Sequence, residues 1–230
     1  IRICLVGSEM CIRDRLFCGV FCFLLSCSGN LSLEIELDSG LIEGFESEDG
    51  TFKFLGIPYA EPPIENLRWK PPVKKMPWEG VLKTNAPVKA CSQPTNDRTG
   101  NNAFYKLILQ ESGLDLTSLG EVSGFDEVSE LTTSEDCLYL NVIVPKGGAK
   151  KKPVMFWIHG GAGRWGSGHE GNYTSSYLPN QGDVIVVTIQ YRLGIFGWLA
   201  HPELSEESIH GVSGNYGTLD QIFALEWVQN

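Results

Sequence analysis

The sequence predicts an α/β chain built on a central, mostly parallel sheet with helices on both faces. Residues 154–158 (VMFWI) and 184–190 (VIVVTIQ) are apolar on both faces, the pattern of strands covered by helices on each side. A third observation is a helix opening at Thr218, where Thr218 and Gln221 make a capping box ahead of the mostly apolar IFALEWV.

In chain order, further strand-like runs fall at residues 33–37, 51–57 and 138–144, each bounded by Gly, Pro or charge clusters. A short helix is expected at residues 103–110, inside an acidic loop that lasts until Ser134. The lysine run in PKGGAKKKP, residues 145–153, reads as a solvated turn between two strands. The last helix reaches Asn230 without a glycine cap or a following strand, so the expectation is a truncated sequence.

Composition narrows the function classes. With 42% hydrophobic and 20% charged residues, the 230-residue chain is neither disordered nor fibrous. A formal charge of -10 argues against a nucleic-acid backbone or an anionic membrane surface as partner. No apolar run reaches the length of a membrane span.

Residues 16–26 (LFCGVFCFLLS) carry no charge, follow Arg13 and Arg15, and precede the small residues Cys27, Ser28 and Gly29. That is the layout of a secretory signal peptide, expected over residues 1–28, with residues 29–230 as the mature part and 1–9 as a non-native leader ahead of Met10. A buried amino-terminal helix is the alternative. Removing 1–28 leaves a charge of -11. Five of the seven cysteines lie in that segment, which leaves Cys91 and Cys137 as either a disulfide pair or two separate buried thiols. No cysteine or histidine spacing suits zinc. Asn30 and Asn172 open N-glycosylation sequons, which fit a secreted protein.

The segment WIHGGAGRWGSG, residues 157–168, leaves the apolar run at 154–158 and turns through five glycines. Such density lets backbone N–H groups point into open space and hold an anion. Gly161, Gly163 and Gly166 match the dinucleotide pattern G-x-G-x-x-G, but no helical period follows and no acid ends the next strand. The better chemistry is an oxyanion hole of the H-G-G-G kind, with the N–H groups of Gly161 and Ala162 as donors to charge that develops during ester hydrolysis. A tight surface loop without a ligand is the bland alternative.

With this loop in place, the chain resembles the type-B carboxylesterase and cholinesterase family. The resemblance runs from about Leu33 to Asn230 through FLGIPYAEPP (54–63), RWKP (68–71), EDCLYLNVIV (135–144), WIHGG (157–161), YRLGIFG (191–197) and GNYGTLDQIFALEWVQ (214–229). It implies an α/β-hydrolase fold and the amino-terminal part, somewhat under half, of a secreted serine esterase acting on small carboxylic esters without a metal or cofactor. It also implies a disulfide between Cys91 and Cys137, and buried ion pairs of Arg68 with Glu135 and of Arg192 with Asp220. A noncatalytic adhesion or receptor ectodomain is the rival, because the same fold serves as a binding module.

Departures from the family pattern are informative. Ala162 and Gly163 stand where the family usually has a third glycine and an aromatic residue, and Arg164 and Trp165 follow. Alanine keeps its backbone donor. No Trp lies between Cys91 and Cys137 to face a quaternary ammonium, so acetylcholine is a poor substrate. No G-x-S-x-G elbow occurs; Ser213, in GVSGN, follows no strand and reads as a loop residue. His169, His201 and His210 read as solvated, and none matches the family's base.

Overall fold

The computed structural model describes residues 33–94 and 132–230. The signal-peptide segment, Asn30 and the helix expected at 103–110 lie outside the described residues.

Strand β1 (Leu33–Leu37) alternates, with Ile35 buried between exposed Glu34 and Glu36. It turns at Asp38 and Ser39 into β2 (Gly40–Glu46), and Leu37 pairs with Gly40 across that hairpin. Next comes β3 (Phe52–Pro58), whose register shifts between Phe54 and Ile57 around Gly56, a residue with φ of 78°. Short strands β4 (Val81–Lys83), β5 (Ala90–Cys91) and β6 (Thr133–Ser134) follow. The main sheet is completed by β7 (Tyr139–Val144), β8 (Val154–Ile158) and β9 (Ile185–Ile189), in the order β1-β2-β3-β7-β9-β8 with β4 beside β2.

Parallel pairing in this sheet is confined, among the described residues, to β8 with β9 and β4 with β2. The other junctions of this amino-terminal portion are antiparallel. Geometry accounts for part of this: the short links from β1 to β2 and from β2 to β3 permit only hairpins, whereas the long crossover from β8 to β9 permits parallel strands.

The crossover carries α1 (Tyr177–Gly182), which ends at Asp183 in the left-handed region. After β9 come α2 (Gly194–Trp198), α3 (Pro202–Glu207) and α4 (Tyr216–Gln229). Helix α4 starts two residues before Thr218, so the expected capping box is not its cap. Gly214 and Asn215, with φ of 91° and 60°, turn the chain first, and the Asn215 carbonyl accepts from the Leu219 N–H.

Strand β9 is buried along its whole length and β7 nearly so, as apolar runs covered on both sides should be. Among the described residues no strand pairs with the outer side of β8, where Val154 is 47% and Ile158 39% exposed. Ile42, Ile57, Leu140, Val187 and Ile189 form the core with Ala224 of α4, and Phe223, Trp227 and Val228 pack against it. Each such large side chain contributes roughly 1.5–3 kcal/mol by leaving water.

Candidate active site

The glycine loop leaves the carboxyl end of β8, where Ile158 pairs in parallel with Ile189 at the end of β9. Gly161, Ala162 and Gly163 follow one another at φ of 118°, 52° and 68°. Three successive positive φ values form a concave backbone turn. Glycine enters it freely, while alanine does so at a cost of about 1–2 kcal/mol. A Cβ on Gly161 would also overlap the Trp165 carbonyl. The turn closes on itself, since the N–H groups of Arg164 and Trp165 donate to the Gly161 carbonyl at 2.9 and 3.3 Å. Among the described residues, the N–H groups of Gly161 and Ala162 meet no acceptor.

Rigid neighbours hold this turn. The Gly194 N–H, at the start of α2, donates to the Gly163 carbonyl at 2.7 Å. Tyr191 donates from its hydroxyl to the His159 carbonyl at 2.7 Å and stacks on the His159 ring at 4.4 Å. At the loop's far end, Thr188 and Asn141 donate to the Gly168 carbonyl, and the Gly168 N–H donates to Gln190. Gly168 has no room for a side chain, because a Cβ would collide with the backbone of Ile189. Asn141, Thr188 and Gln190 are fully buried, so their mutual bonding replaces the water they lose.

Histidine placement differs from the sequence expectation at one position. Among the described residues the buried ring nitrogens of His169 meet no partner, and burial, helped by nearby His159, lowers its pKa to about 4. Both ring nitrogens are thus withdrawn from water, although the residue as a whole is half-buried. Burial also lowers the pKa of His159, and its Nδ1 lies 2.9 Å from the Gly160 carbonyl. A carbonyl only accepts, so Nδ1 carries the proton. His201 is exposed and caps α3, accepting from the Glu203 N–H at 3.3 Å, and His210 is exposed. Ser213 accepts from the His201 N–H and shares a hydrogen bond with Ser205; among the described residues no histidine ring bonds to it.

A disulfide joins Cys91 and Cys137, with Cα atoms 5.0 Å apart. Arg68 meets Glu135 through two hydrogen bonds of 2.5 and 2.8 Å. This pair is half-buried rather than buried, its side chains being 35% and 24% exposed, because Arg68 lies over the Trp69 ring at the surface. Arg192 and Asp220 are buried together. Asn172 is exposed in a turn. Among the described residues no helix is long and apolar enough to cross a membrane.

Residues 31–230 match the model of the carboxylesterase family. The chain belongs to that family. It is 42% identical over 193 residues to a fumonisin B1 esterase of Sphingopyxis macrogoltabida, covering 84% of this chain and 30% of that one. It is 41% identical over 190 residues to a para-nitrobenzyl esterase of Bacillus subtilis (strain 168), covering 83% and 33%. A solved thermophilic para-nitrobenzyl esterase superimposes with a TM-score of 0.65 at 38% identity, over 85% of this chain and 34% of that one. A carboxylesterase of Geobacillus stearothermophilus gives 0.63 at 33% identity, again over 85% and 34%. The fold is thus the α/β-hydrolase fold of the family, and the chain spans about a third of the length of these relatives.

Sequence reasoning missed the polar residues that hold the loop, namely Gln93, Asn141, Thr188, Gln190 and Tyr191. One signal was present. Asn141, Thr188 and Gln190 interrupt runs that are otherwise apolar, and a polar side chain inside a covered strand needs a partner.

Proposed function

We propose that these residues are the amino-terminal part of a secreted serine hydrolase of carboxylic esters, with the backbone N–H groups of Gly161 and Ala162 as its oxyanion donors. The observation that carries this reading is the pair of N–H groups that meet no acceptor among the described residues, held on a fixed turn at the carboxyl ends of two parallel strands. Negative charge grows on the carbonyl oxygen when an ester is attacked. Donors already aimed at it need no reorganisation, and each contributes about 3–4 kcal/mol to lowering the barrier. Residues beyond Asn230 supply the serine, the histidine that takes its proton, and the acid that orients the histidine.

Relatives named para-nitrobenzyl esterase, fumonisin B1 esterase and acylcarnitine hydrolase support hydrolysis over a purely adhesive role. Small carboxylic esters are the substrate class, and the chemistry asks for no metal or cofactor. Secretion is supported by the apolar segment at 16–26 and by the disulfide, since such bonds persist in oxidising compartments. On the same reading residues 1–28 are removed as a signal peptide, residues 29–230 belong to the hydrolase domain, and Asn30 and Asn172 carry glycans.

The test is expression of the full-length protein from a secretory host, with assay on short-chain aryl esters and labelling by a serine-directed phosphonate. Turnover that disappears on labelling is expected. A folded, secreted protein that hydrolyses none of these esters overturns the esterase reading and favours the adhesion module.

A further inference from the structure

One side chain outside the glycine loop grips it from the disulfide. The Gln93 amide pairs with Gly166 as a neighbouring strand would: the Gly166 N–H donates to Oε1 at 2.8 Å, and Nε2 donates to the Gly166 carbonyl at 2.8 Å. Nε2 also donates to the Cys91 carbonyl at 3.0 Å, so both amide hydrogens and the amide oxygen are used. A side chain bonded in this way fixes both the position and the orientation of the backbone it holds.

Gly166 presses on the peptide unit that matters most. At φ of 115°, a Cβ there would stand 2.5 Å from the Gly160 carbonyl oxygen and would collide with the His159 ring. That carbonyl and the Gly161 N–H are two ends of one planar unit. Any shift of Gly166 therefore tilts the Gly161 donor. The series runs from Cys91, locked to Cys137, through Gln93 and Gly166 to the Gly160–Gly161 peptide.

We infer that Gln93 is a positioning residue for the oxyanion donors, and that the Cys91–Cys137 disulfide acts on catalysis through it. This rests on the donor role proposed above for Gly161 and Ala162. Gln93 bonds to the backbone of Cys91 and Gly166 and is not itself one of the donors. Its effect belongs to the transition state, where the donors must meet a charged oxygen, and hardly at all to ground-state binding.

The experiment uses the full-length protein with Gln93→Leu and Gln93→Glu. It reads kcat and KM on an aryl acetate, the inhibition constant of an aryl trifluoromethyl ketone that forms an oxyanion on the serine, and the melting temperature. For Gln93→Leu, kcat is expected to fall about 10- to 100-fold, as misplacement by up to about 1 Å produces. KM should stay within twofold, and ketone affinity should fall by the same factor as kcat. A folded Gln93→Leu protein whose kcat and ketone affinity stay within twofold of wild type overturns the inference. Should Gln93→Leu not fold, Gln93→Glu decides. Its carboxylate still accepts from the Gly166 N–H, and once protonated it again donates to the Gly166 carbonyl. Its kcat relative to wild type at the same pH should therefore rise as the medium is acidified, and a flat ratio overturns the inference. If wild type itself neither turns over esters nor binds the ketone, it is the esterase reading that fails. If wild type is active and the Gln93 variants are indifferent, only the positioning role fails.

Discussion

Arg192, just past β9, and Asp220, in α4, meet in a pocket where their side chains are 3% and 0% exposed. The Arg192 backbone N–H, Nε and Nη2 donate to the carboxylate at 3.0, 2.8 and 2.7 Å, and Nη1 donates to the Lys70 carbonyl at 2.8 Å. The pair ties helix to sheet. Such a pair adds little net stability, because leaving water costs both ions nearly as much as their attraction returns.

Breaking it from one side is a different matter. Asp220→Ala strands a buried guanidinium and should cost about 3–5 kcal/mol, whereas Arg192→Met combined with Asp220→Leu should cost clearly less. Urea denaturation of the three proteins checks this. Equal losses in the single and double variants would contradict it.

Replacing both Cys91 and Cys137 by Ala releases a closed loop with a sequence separation of 46. Chain entropy alone sets the loss near 4 kcal/mol, and residual order in the unfolded chain reduces it. The denaturation midpoint of the oxidised wild type should exceed that of the double variant accordingly.

On the proposed donor role, Gly161→Ala should lower kcat of the full-length protein by about 100-fold, since its Cβ displaces the Trp165 carbonyl and with it the turn. Gly171→Ala is the control. A Cβ at Gly171 meets nothing within 4 Å, and its kcat should match wild type. Equal activity in both variants would remove the turn from the mechanism.

Acid should weaken the fold through His169. Its pKa is near 4 in the folded chain against 6.5 for an ordinary histidine, because its ring nitrogens are buried. Between those values the unfolded chain binds a proton that the folded chain does not. The stabilisation is complete above about pH 6.5 and is lost as pH falls toward 4, with a slope of at most about 1.4 kcal/mol per pH unit for this group. Unfolding free energies measured from pH 4 to 8 on wild type and His169→Leu check this, the variant showing the shallower slope.

Much of the architecture could be read directly from residue patterns. Both-face apolar runs located β8 and β9, strand-like runs bounded by Gly, Pro or charge clusters located β1, β3 and β7, and the glycine density after VMFWI pointed to the turn proposed to hold the donors. Thr218 misled because a capping pattern competes with any stronger turn nearby, here Gly214 and Asn215. Gln93 was invisible for another reason. Its partner Gly166 is 73 residues away, and an exposed-looking glutamine after a cysteine carries no local mark of a tertiary bond.

The location of the disulfide has a consequence for how quickly the chain folds. Strand β3 must find β7 across the intervening residues 59–138, and Tyr59 must then reach the Gln190 carbonyl, 131 residues away. Distant pairings of this kind are slow, because chain closure is unfavourable until the contacts form. Cys91–Cys137 shortens the path from Pro58 to Tyr139 to residues 59–91 and 137–138, 35 positions in place of 80. Oxidation during biosynthesis thus lowers the entropic barrier to sheet closure by roughly 0.7 kcal/mol, about a threefold gain in rate. In a reducing compartment the same polypeptide would linger with β3 unpaired, exposed to proteolysis and to association with other nascent chains.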